Sequence, residues 1–187
     1  MADITISAGV SSSGIVVNVG DNLIILSGGI ATDTTENGGN VVVNDGGTAD
    51  FASNTITGLE NVTKTVTVHK NTVANENTFE YGGAMKVYDG GIASGNIVNG
   101  NVDVYSGAKV YGTTASVGEG HFTVYGGGYA ENIVFNCHWR WGSGLSVLMN
   151  ATVTGTTVFG DGRMFVSAGA TANDTLQVGG SDRKSVV

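Results

Sequence analysis

The 187-residue chain contains no proline, one cysteine, eight Lys plus Arg, and no run of apolar residues long enough to cross a bilayer as a helix. Each shortage excludes something. A chain rich in loops uses proline and glycine together for its turns. Thirty-one glycines beside no proline therefore point to a backbone that is hydrogen bonded almost throughout, with glycine at the corners. The single Cys137 excludes an intrachain disulfide framework and a cysteine-based zinc knuckle. Sixteen Asp plus Glu leave a formal net charge of -8, which disfavours nucleic acid and anionic lipid as partners. No membrane insertion by this segment is expected, and the opening MADITIS lacks the basic and apolar segments of a signal peptide.

What the chain has instead is a repeat. An apolar anchor returns as Ile6, Ile25, Val43, Val68, Val87, Val104, Val124, Val147 and Val166, with a mean step of 20 residues. Two positions before each anchor stands a second apolar residue, from Ile4 and Leu23 to Phe122, Leu145 and Met164, so the pair shares the inner face of a strand. Three positions after each anchor only Gly or Asn occurs: Gly9, Gly28, Gly46, Asn71, Gly90, Gly107, Gly127, Asn150 and Gly169. These two residue types accept positive φ most readily, so the chain turns a corner there.

A second corner falls eight positions after the anchor, at Gly14, Asp33, Gly95, Gly112, Asn132, Gly155 and Asp174, with Phe51 and Glu76 as exceptions. A third is marked less regularly, by Gly20, Gly38, Gly58, Gly82, Gly100, Gly118, Gly160 and Gly179. Three short strands and three corners in each period describe a triangular coil. The expected fold is all-β: a single-domain, right-handed parallel β-helix of about nine coils of roughly 20 residues. A meander of hairpins is the competing arrangement, but hairpins need no recurring corner column. Residues 1–180 form the repeat domain, and 181–187 read as a tail, a cap or a remnant foreign to it.

Two steps are long. Between Val43 and Val68 the step is 25, and residues 54–64 are read as an outward loop with Leu59 tucked back. Between Val124 and Val147 it is 23, and the added residues include Trp139, Arg140 and Trp141, an aromatic surface suited to a sugar or a protein, or else a cover for an exposed coil edge. Tyr88, Tyr105 and Tyr125 each follow an anchor and form an outward stripe, either an interaction surface or a shield for the sheet.

Few residues carry chemistry. Asp45 and Asp89 are isolated turn formers and do not stack into a paired-carboxylate site. His69, His121 and His138 lie in different coils, and the calcium-binding nonapeptide of β-rolls is absent. No catalytic residue, metal ligand or cofactor is assigned.

The phrases LSGGIATDTT, VNDGGTADFASNTI, VYDGGIASGNIV and VYSGAKVYGTTASV resemble the degenerate repeats of AIDA-type autotransporter adhesins. The resemblance implies a secreted passenger segment displayed on the outer surface of a Gram-negative cell, acting in adhesion, self-aggregation or biofilm growth without catalysis. Its implied partners are itself and a host or bacterial surface glycan or protein. It also implies a heptosyltransferase acting on exposed hydroxyls, for which Ser27, Thr34 and Ser106 are the candidates. The alternative function is a carbohydrate-active β-helix, a polysaccharide lyase or hydrolase.

Overall fold

A computed structural model describes residues 2–52, 54–117, 120–137, 144–160, 162–179 and 185–186. Among these there is no helix; 27 short strands pair in parallel, coil upon coil, into a solenoid of about nine turns. The anchor columns are sheet columns. Ile6, Ile25 and Val43 are mutual register partners, and so are Val68, Val87, Val104, Val124, Val147 and Val166. All nine residues three after the anchor have positive φ, between 66° and 83°.

The second corner is more regular than the sequence suggests. Glu76 has φ 54°, so it turns the chain as its neighbours in the column do, and only Phe51 departs. Replacing Gly107, at φ +76°, with Val is expected to lower stability by roughly 1–3 kcal/mol, because a β-branched residue is strained there. Denaturant midpoints would check this; an unchanged midpoint would contradict the corner assignment. Asn150, at φ 66°, should accept Gly at little cost.

The rod contains a fault that the sequence reading placed outside it. Residues 54–64 are not an outward loop: the strand Asn54–Thr57 pairs with Thr72–Asn75, Ile56 is buried, and Val62 bridges to Phe79. The alternation Thr55-Ile56-Thr57 fits a half-buried strand, and burial of Ile56 draws it inward. Leu59 packs against the same core, and its N–H donates to Asn77 Oδ1 at 3.0 Å.

This extra strand starts a new stack instead of extending the old one. The strand Asn40–Val43 ends a three-stranded sheet, whereas Thr65–Val68 begins a seven-stranded one. The apolar interior divides in the same way. One cluster contains Ile6, Val17, Leu23, Ile25, Ala31 and Val41, and the other runs from Ile56 to Val158. At the fault Val43 is 38% exposed, although its place in the anchor column predicts burial; its strand is the last of its sheet, and no strand pairs with it in register on that side. At the other end the strand Ser185–Val186 pairs with Phe165 and Val166.

Candidate functional site

In-register parallel strands bring equivalent side chains one above another at about 4.8 Å, close to the contact distance of stacked rings. Tyr88, Tyr105 and Tyr125 use this spacing: successive ring centroids are 4.7 and 4.8 Å apart and the planes are within 8° of parallel. The stripe is longer than its three tyrosines. His69 stacks on Tyr88 at 4.7 Å, and Phe51 stacks on His69 at 4.3 Å. Phe51, the exception to the corner column, thus carries the ladder across the fault from one stack to the other.

Because these rings spend their faces on each other, they present edges to solvent. Asp103 lies beneath them, and its Oδ1 accepts from Tyr125 OH at 3.4 Å and contacts His121 Nε2 at 3.1 Å. Burial, reinforced by the Asp103 charge, pushes the Tyr105 hydroxyl up to about 12 and raises Tyr88 and Tyr125 in the same direction. The phenols stay neutral, and the half-buried rings lie along the outer face of the sheet.

At the foot of the ladder lies a polar cluster that the sequence reading missed. Glu36 is 1% exposed and occupies the inner row beside Val17, its register partner. Thr67 Oγ1 donates to its Oε1 at 2.5 Å and the His69 N–H to its Oε2 at 3.3 Å; the Val41 N–H donates in turn to Thr67 Oγ1 at 3.2 Å. Desolvation raises the Glu36 carboxyl to about 8 despite these donors, and burial lowers the His69 imidazole to about 4. At neutral pH the pair is predominantly uncharged. A signal existed: eleven after the anchors stand Val17, Phe79, Val98, Ala115, Phe135 and Val158, and Glu36 is the charged member of that apolar column.

The remaining candidates separate cleanly. Ser27 and Ser106 are exposed, each at a corner. Thr34 is not: it is fully buried and cannot be an exposed hydroxyl acceptor. It follows the corner residue Asp33 and falls in an inward column with Asn77, Asn96, Thr113 and Thr156, all buried. Two of these form an amide ladder, in which Asn77 Nδ2 donates to Asn96 Oδ1 and to Ile56 O, each at 3.0 Å. Asp45 and Asp89 are exposed, Cys137 is buried, and no group of three His, Cys, Asp or Glu suited to a metal occurs among the described residues. Trp139, Arg140, Trp141 and His138 lie outside the described residues.

Two shallow grooves lie at the third corner of the rod. One, of about 280 Å³, is lined by Gly20, Asp21, Asn22, Asn40, Lys64 and Thr65, and so spans the fault. The other, of about 230 Å³, has Tyr81, Asn99 and Asn101 around a floor of glycines.

No family model matches the sequence, and no curated protein matches it. Among solved structures the chain is similar to the crystal structure of a TibC-catalyzed hyper-glycosylated TibA fragment, residues 55–350, at 21% identity over 98% of this chain and 93% of that one, with a TM-score of 0.31.

Proposed function

We propose that the chain is a passenger segment of a bacterial surface adhesin, secreted and displayed outside the cell, which holds contact surfaces along a rod and catalyses no reaction. The observation that carries this reading is the parallel stack itself, whose outer rows are occupied by side chains with structural work: stacked rings, corner residues and the exposed amide pair of Asn37 and Asn18. Repetition of that kind gives length and lateral surface. The repeat phrases that resemble AIDA-type passengers supply the cellular setting.

The competing reading, a glycan lyase or hydrolase, requires a carboxyl group that reaches substrate. Glu36 is held neutral as a general acid would be, but it is sealed between the two cores. Display of the chain on a non-adherent bacterial strain tests the proposal. Cells carrying it are expected to settle faster and to attach to host-cell or glycan-coated surfaces more than cells carrying an empty display vector. New reducing or unsaturated ends released from polymeric glycans by the purified chain would replace the adhesin reading with the enzymatic one.

A further inference from the structure

We propose that the third corner of the rod binds an extended neutral glycan, with Tyr81 as its aromatic platform. This deepens the adhesin reading and rests on it for what the bound glycan does. Tyr81 is 73% exposed, more than any other large apolar side chain of the described residues. Tyr88 and Tyr105 stack on a ring at either face and Tyr125 stacks on Tyr105, whereas none of the ring contacts among the described residues involves Tyr81. A phenol ring with an open face and a wet hydroxyl offers the apolar surface that the C–H face of a pyranose covers.

The floor beside Tyr81 is bare backbone. Gly83 and Gly100 approach so closely that a Cβ on Gly100 would collide with the Gly83 carbonyl oxygen, and a Cβ on Gly120 would come within 2.8 Å of the Gly100 oxygen. Close stacking of coils explains these three glycines, and its consequence is a shelf with no side chain between the rod and a ligand. Asn99 and Asn101 stand along it. A carboxamide presents donors and an acceptor together, which matches neighbouring hydroxyls of a sugar. The Asn101 Oδ1 already accepts from the His121 N–H at 3.1 Å, which fixes the amide and turns its two N–H donors away from that contact.

Charge and shape select the class of ligand. The described residues lining this groove are Tyr, Asn and Gly, all uncharged, in a chain of net charge -8, so among them neither an acidic polymer nor a basic peptide finds a charged partner. Strand addition by a peptide is also unsuited, since the edges here are paired coil to coil. Successive coils recur at about 4.8 Å, near the repeat of an extended pyranose chain, so consecutive sugars meet Tyr81, then Asn99 and Asn101, then Gly120. The groove at Asn22, Asn40 and Lys64 lies on the same corner and continues the line across the fault.

Saturation-transfer NMR on the full chain, with cellohexaose, mannohexaose, chitohexaose and a galactan hexamer as probes, decides the matter. At least one hexamer should bind, its monosaccharide should not, and polygalacturonate should be weaker. Tyr81→Ala should weaken binding roughly tenfold or more while melting is unchanged, since that side chain is exposed, and Tyr81→Trp should retain binding. Tyr129→Ala, on another face, should bind as the parent does. Absence of binding by every hexamer, preference for polygalacturonate, or equal binding by Tyr81→Ala overturns the proposal. The two readings fail separately. Displayed cells that attach equally well with Tyr81→Ala leave the adhesin without this groove; a chain that binds a hexamer but gives no attachment or settling leaves the groove without the adhesin.

Discussion

Glu36→Gln is expected to remove a loss of stability between about pH 6.5 and 8 that the raised Glu36 carboxyl predicts for the parent protein. In the folded chain the Glu36 carboxyl titrates near 8, whereas in the unfolded chain it titrates near 4.5. Between those values the folded state holds the extra proton, so this group's favourable contribution is complete below pH 4.5 and is lost as pH rises through 8. His69 acts with the opposite sign. Its imidazole falls from 6.5 to about 4 on folding, so the unfolded state holds the extra proton and stability rises with pH through that window. The two slopes oppose each other where the windows overlap, and above about pH 6.5 Glu36 acts alone.

A neutral amide of the same shape should therefore match the parent near pH 5 and exceed it at pH 8 by on the order of 2–4 kcal/mol. Denaturant midpoints taken from pH 5 to 9 read the difference directly. A parallel decline in both proteins would place the cause elsewhere, in the overall negative charge for instance. The fault makes this pH dependence possible: within a continuous stack the position would hold an apolar side chain, as Val17, Phe79 and Val98 do in the same column.

The corners were legible in the sequence because they are local. A residue at positive φ needs no distant partner to reveal itself, which is why one column of Gly and Asn predicts nine turns, and why Asp33, Asn132 and Asp174 mark the second corner; Glu76 turns there too, but its residue type carries no such signal. Strand partnership is not local. Thr55 to Thr57 looks the same whether it extends one stack or founds another, and the choice depends on which edge lies within reach. The same limit hid the full aromatic ladder. Three of its rings share a sequence column with His69, but Phe51 arrives from a different corner and only the fold brings it to His69. Thr34 illustrates the remaining difficulty: it stands one residue from a corner, and that single step separates an exposed hydroxyl from one sealed in the interior.

The fault also determines how far damage travels. Phe122 is fully buried on the anchor face, paired in register with Val102 below and Leu145 above. Phe122→Ala should cost about 3–5 kcal/mol, since it removes a whole ring from a packed row and the coils on either side have no side chain to fill the space. In a stack whose coils are stabilised by their neighbours, that loss spreads along the continuous core, from Met85 through Val104 and Val124 to Val147. The first stack is joined to it differently. Its contacts across the fault include the hydrogen bonds of Val41, Glu36, Thr67 and His69, the Asn71 Nδ2 donating to Phe51 O at 3.4 Å and the stacking of Phe51 on His69, while its apolar cluster remains separate. Hydrogen exchange by mass spectrometry should therefore show Phe122→Ala losing protection in peptides spanning residues 84–150 well before peptides spanning 20–43. Equal loss in both regions would mean that the polar seam transmits unfolding as well as an apolar core does, and that the two stacks melt as one cooperative unit despite the break between their sheets.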